Sequence, residues 1–169
     1  MTSIDAYAPQ LDAAIAQVHQ ATGLPPRVVC HSMGGLAVRS WLAQRTAEGE
    51  AVADRLEKVV TIGSPHFGTW WARWSPTRNG QQMRRGSDWL QQLDAKRCAG
   101  LAGLAPKRFI CWYSNADNIV LPASSATLPG ADNRLVEGAG HVDLAFREEV
   151  IKMTLDDLDA SPEDAFRAG

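Results

Sequence analysis

Ser32 stands inside the run "VVCHSMGG", Val28 to Gly35, where a short β-branched segment gives way to a helix-forming one. A serine hydroxyl is a weak nucleophile until a neighbouring base takes its proton. A sharp strand-to-helix turn can expose it, provided small residues stand two places before and two places after it. Gly34 fills the second of these places, and Cys30, small though not glycine, fills the first. The helix start behind Ser32 favours developing negative charge. The backbone N–H of Met33 is therefore the expected oxyanion donor, and Gly35 lets the helix pack closely on its strand.

Such a serine needs a base and an acid, which in this layout follow it in the order serine, acid, histidine at the ends of later strands. Of the four histidines, His19 lies on the first helical segment, His31 adjoins the serine with its side chain expected to point away, and His66 follows the second strand. His141, in "GAGH" between the last strand and the last helix, has the reach a general base requires. Asp117, in "YSNADNIVLP" directly after the third strand, is the favoured acid. Asp132 is the rival, closer to His141 in sequence but in the turn-like "PGADN", where aspartate is common for other reasons.

The elements that must position these groups alternate. Residues 3–22 show helical apolar spacing, with a kink or true start at Pro9 and a stop at Gly23. "RVVCH" is a strand, Gly34 to about Ala47 a helix, Val59 to Ile62 a second strand, "RFICWYS" a third and "NRLVEGAGH" a shorter fourth. "VDLAFREEVIKMTLDDL" reads as one final amphipathic helix. This order implies an α/β fold, with a mainly parallel sheet of about four strands in a single domain spanning 1–169. Residues 66–105 are too long for a plain connection and are expected to form a lid-like insert with helical pieces near Trp70–Trp74 and Ser87–Leu93.

Four stretches together, "VVCHSMGGLAVRSWL", "VVTIGSPHFGTWWA", "YSNADNIVLPASSATLPGADN" and "GAGHVDLAF", resemble the bacterial lipases and esterases of the α/β-hydrolase superfamily. The resemblance covers roughly residues 10–150. It implies a partial α/β-hydrolase fold, Ser32 as nucleophile, Asp117 as acid, His141 as base, Met33 as one oxyanion donor, and ester hydrolysis through an acyl-enzyme. The chain departs from the family at its start. Several strands precede the elbow in the family, and a loop after one of them supplies a second oxyanion donor, whereas here one helix precedes it.

Two expectations follow from that departure. An apolar strand edge beside "RVVCH" is left to pair with another chain or to be covered by a rearranged segment, and a homodimer through this edge is the favoured expectation. Catalysis is expected to weaken by on the order of 10²–10³ unless another N–H replaces the lost donor. The same departure motivates a second reading, a non-catalytic hydrolase-like module acting in binding or assembly. Acyl transfer is a third, using the same triad with an acceptor other than water.

His31, Pro65, Phe67, Trp70 and Trp71 are the candidate substrate-contacting residues. The tryptophans 70, 71 and 74 read either as an acyl-binding or lipid-facing wall or as core packing under a cap. Arginines of the basic stretch 73–108 offer contact with an anionic lipid surface. The expected partner is thus a small-molecule or lipid ester. A net charge of −2 gives no reason to expect nucleic acid. The acidic end, which includes Glu163 and Asp164, reads as solvated. Three cysteines, Cys30, Cys98 and Cys111, match no zinc spacing, and neither a metal nor a cofactor is expected. The first residues lack the pattern of a signal peptide and no stretch is long enough to span a membrane, which makes the cytoplasm the default location.

Overall fold

Runs of β-branched and aromatic residues buried on both faces favour parallel strands, and four such strands form the sheet of the computed structural model, which describes residues 2–98 and 104–159. Residues 99–103 of the insert and the tail with Glu163 and Asp164 lie outside it. The strands are β1 (Arg27–His31), β2 (Lys58–Ile62), β3 (Phe109–Ser114) and β4 (Asp132–Val136). All pairings are parallel, in the order β1-β2-β3-β4. Their register aligns His31 with Ile62, Ile62 with Trp112 and Trp112 with Arg134. The segments that follow each strand therefore leave the sheet along one common edge, where open α/β sheets carry their sites.

On one face lie helix α1 (Ala8–Thr22) and helix α2 (Met33–Ala47). The break expected at Pro9 is a 3₁₀ turn, Ile4–Tyr7, leading into α1 with the proline in its first turn, where a missing N–H costs nothing. Gly23, at φ 71°, closes α1 as the sequence predicts. Trp41, Val38, Cys30, Val59 and Phe109 are among the residues that form the core on this side.

The opposite face is covered by α5 (His141–Leu144) and α6 (Glu148–Asp159), packed on Val60, Ile110, Trp112 and Val136. The single final helix expected from the sequence is thus two. The N–H groups of Ala145 and Phe146 bond back to the carbonyls of Val142 and Asp143, closing α5 after one turn, and the chain restarts with the Ile151 N–H on the Arg147 carbonyl. The break lets α5 hold His141 at the sheet edge, while Thr154 of α6 accepts the Trp112 indole N–H at 3.1 Å.

The insert contains a 3₁₀ turn (Trp70–Trp74), α3 (Arg78–Gln82) and α4 (Asp88–Cys98). Leu90 and Leu93 of α4 are buried with Ile4, Leu36 and Ala43, so this part of the insert is packed into the body on the flank of α2. Arg39, buried in α2, reinforces the joint with bonds to the His66 carbonyl (2.9 Å) and Asp94 of α4 (2.6 Å). The 3₁₀ turn behaves otherwise and stands with its tryptophans exposed.

Candidate active site

The turn between β1 and α2 forces Ser32 to φ 53° and ψ −125°, a conformation that a residue with a side chain rarely adopts and that costs about 1–3 kcal/mol. Two glycines make it feasible. A side chain at Gly34 would stand 3.3 Å from Cys30 Cβ, and one at Gly35 would overlap the Ser64 side chain, 2.7 Å from its Cβ, with Thr61 Cγ2 at 3.1 Å. The small residues required by the elbow thus meet real crowding, with α2 pressed against β2. Ser32 N–H is tied to the Ile62 carbonyl at 2.9 Å, which anchors the elbow to the neighbouring strand.

Ser32 Oγ lies 2.9 Å from His141 Nε2, and His141 Nδ1 lies 2.9 Å from Asp117 Oδ2. An ionised carboxylate only accepts, so Nδ1 carries the hydrogen toward Asp117, and Nε2 is left to accept from the serine hydroxyl. Asp117 and His141 are both buried, while Ser32 is partly exposed and so within reach of a ligand. The other Asp117 oxygen accepts the N–H groups of Ile119 and Val120, each at 2.8 Å. Burial pushes the Asp117 carboxyl up, but the bonds from His141, Val120 and Ile119 outweigh it and hold the group below the usual carboxylate range. Asp132 stands apart from this chain of bonds, exposed and paired with Arg134 at 2.6 Å.

Three further residues support the arrangement. Asn118 Oδ1 accepts the His141 N–H at 3.0 Å, fixing the backbone that carries the base. Gly63, at φ 56°, passes directly under the acid–base pair; a Cβ there would stand 3.2 Å from His141 Nδ1 and 3.3 Å from Asp117 Oδ2. His31 does not point away as expected. Its ring lies against that of His141, centroids 4.8 Å apart, and its Nε2 is 3.1 Å from the His141 carbonyl oxygen. Sequence reasoning assigned neither Asn118 nor Gly63. A glycine at the end of a strand and an asparagine beside an acid are the faint signals they left.

The Met33 N–H is at the first position of α2, where a helix has no acceptor of its own to offer. The Met33 side chain is held by α3, whose Asn79 Nδ2 is 3.4 Å from Sδ. The remaining candidates are spread more widely. Pro65 is buried, Phe67 packs against the core that contains Cys30 and Phe109, and Trp70 and Trp71 are exposed on the 3₁₀ turn. His66 is fully buried, with Nε2 3.2 Å from Thr61 Oγ1, and takes no place beside Ser32. Cys30, two residues from the serine, is no rival nucleophile, because burial pushes its thiol up to about 12. No group of three or more histidine, cysteine or acidic residues among those described is arranged to hold a metal ion.

No family model matches the chain, and no curated protein matches it. Solved structures do match in fold. The mature form of the lipase BlEst2 from Bacillus licheniformis has a TM-score of 0.75 at 16% identity, over 93% of this chain and 75% of that one. Lipase B of Aspergillus fumigatus gives 0.74 at 16% identity, over 94% of this chain and 42% of that one. The phospholipase PlaB of Legionella pneumophila gives 0.73 at 13% identity, over 98% of this chain and 49% of that one. The chain therefore has an α/β-hydrolase fold similar to that of lipases and esterases, and it spans from about two-fifths to three-quarters of the length of these three neighbours.

Proposed function

We propose that the protein is a serine hydrolase that cleaves carboxylic esters, an esterase or lipase, through an acyl-enzyme. The observation that carries this reading is the unbroken run of short bonds from Asp117 through His141 to Ser32, ending on a serine in a strained elbow. His141 Nε2 takes the Ser32 proton as Oγ attacks the ester carbonyl carbon. The carbonyl oxygen gains negative charge and is met by the Met33 N–H at the start of α2. His141 then gives the proton to the departing alcohol oxygen, and the C–O bond to the alcohol breaks. A water molecule, deprotonated by the same nitrogen, then bonds to the acyl carbon, the bond from that carbon to Ser32 Oγ breaks, and His141 returns the proton to Oγ as the acid leaves. Asp117 holds the ring in the productive tautomer and stabilises its charged form without itself becoming protonated.

The test is turnover of p-nitrophenyl esters by the wild type and by Ser32→Ala. The expected result is a loss on the order of 10³-fold or more in kcat for the variant. Equal rates would refute the assignment.

The side of β1 that pairs with no strand among the described residues favours a second reading, a hydrolase-like module that works by binding. Fluorophosphonate labelling separates the two. A serine activated by His141 reacts covalently, whereas one in an inert scaffold does not. Added alcohol as acceptor, with product analysis, separates hydrolysis from acyl transfer.

A further inference from the structure

We infer that the 3₁₀ turn Trp70–Trp74 is a docking surface for an anionic lipid membrane. Trp70, Trp71 and Trp74 are 58%, 57% and 77% exposed, whereas Ala72 between them is buried. Together the three indoles show on the order of 400 Å² of apolar surface to solvent. In a 3₁₀ turn, residues three apart share a face, which brings Trp71 and Trp74 to one side.

The exposure is built in and is no accident of a frayed loop. Thr69 N–H bonds the Met83 carbonyl at 2.9 Å, Trp70 N–H the Leu121 carbonyl at 3.1 Å, and Ser75 N–H the Ala72 carbonyl at 3.1 Å. Arg84 reaches under the turn and donates to the carbonyls of Ala72 (3.2 Å) and Ser75 (2.9 Å). Gly68, at φ 81°, lets the chain enter so close that a Cβ would stand 2.7 Å from the Met83 oxygen. The backbone is fastened, and the indoles are left outward.

Along the chain that carries them the charge is of one sign. Residues 59–87 contain Arg73, Arg78, Arg84 and Arg85 and no acidic residue, in a protein whose net charge is −2. Arg73 lies over the Trp74 ring at 5.4 Å and Arg85 over the Trp70 ring at 5.2 Å. Tryptophan seats itself at the headgroup level of a bilayer, and arginine beside it meets anionic headgroups. A neutral apolar partner would not use the arginines, and a soluble polyanion would not use the indoles. The Trp70 N–H bond to the Leu121 carbonyl ties the turn to the segment that follows Asp117.

The test uses Ser32→Ala protein, so that no lipid is cleaved, with sedimentation and tryptophan emission read on vesicles of phosphatidylcholine alone and mixed with phosphatidylglycerol. The expected result is binding about tenfold or more tighter to the mixed vesicles, weakened by salt and accompanied by a blue shift. In the same background, Arg73→Gln/Arg78→Gln/Arg85→Gln loses about tenfold or more on mixed vesicles. Trp74→Ser weakens binding and diminishes the blue shift, and circular dichroism reports whether each variant is folded. No binding, equal binding to both vesicles, or unchanged binding by both variants overturns the inference. So does heparin producing the same emission shift as vesicles, which would mark a site for soluble polyanions. Failure here leaves ester turnover intact, and failure of ester turnover leaves vesicle binding intact, so the two are judged separately.

Discussion

Asp117 accepts two backbone N–H groups on one oxygen and the His141 ring on the other, which fixes its direction as well as its charge. Its carboxyl is held below the usual range, so it stabilises the fold above the unfolded value of about 3.9, and that contribution is lost as pH falls through the lower folded value. Asp117 is ionised throughout the neutral range and sets no limb of the pH–rate profile there. Asp117→Asn is expected to lower kcat by on the order of 10⁴, while Asp132→Asn leaves it essentially unchanged. Steady-state kinetics on a p-nitrophenyl ester check both, and the reverse pattern would reassign the acid. Chain order and position after a strand made Ser32, Asp117 and His141 the candidates in the sequence, with Asp132 as a rival acid, and the structure brings the first three within hydrogen-bonding distance of one another. The contact of His31 with His141, 110 residues away, was not legible, because local turn geometry does not say what a distant segment brings alongside. Gly63 was readable as the end of a strand, but the reason for its missing side chain lies in two groups from later segments.

Among the elements, the first 3₁₀ turn does more than begin α1. Asp5 within it accepts from Ser40 of α2 (2.6 Å), from the Trp89 indole of α4 (2.9 Å) and from Gln82 of α3 (3.4 Å), while the Gln82 Oε1 accepts the Ile4 N–H at 2.8 Å. One carboxylate thus joins the N-terminus to α2 and to both helices of the insert. Burial raises the Asp5 carboxyl, but bonds from Ser40, Trp89, Ser3 and Gln82 outweigh it and hold it below its ordinary 3.8. Its stabilisation is therefore present above the unfolded value and is lost as pH falls through the folded one. Asp5→Ala is expected to cost about 1–3 kcal/mol at neutral pH by leaving buried donors unmatched. The gap between variant and wild type should narrow in acid, and urea melts at several pH values measure it. Apolar spacing exposed the strands and the long helices, yet it could not show this hub, because an aspartate near a terminus looks the same whether solvated or shared. Nor could it show the break between α5 and α6, which no glycine or proline marks.

At the scale of the molecule, β1 pairs with β2 on one side and with no other strand among the described residues. Val29 on this strand is 47% exposed, and an apolar groove of about 470 Å³ runs beside it, lined by Leu11, Val28, Met33 and Val38 among others. Parallel sheets are ordinarily covered, and a bare apolar edge offers unpaired backbone groups to another strand. We propose that a second copy of the chain covers this edge. Light scattering over a concentration series should show a dimer, and Val29→Lys should return it to monomer. Monomeric wild type at every concentration would sink the proposal. The place of β1 at the end of the strand order, among the described residues, agrees with the sequence expectation. The groove along it was not legible in the sequence, since α1, β1 and α2 line it together.

The strands enter the sheet in the order in which they are synthesised, each beside the one before it, and the base arrives last. Ser32 and His141 are 109 residues apart, and the bond between them closes only after β4 has been laid down and α5 has turned. Domains assemble progressively as they leave the ribosome. The elbow of a half-made chain thus carries an ordinary, unreactive alcohol. On the proposed reading Ser32 gains its base only once α5 is in place, so its reactivity would serve as a built-in gauge of whether β4 and α5 have docked.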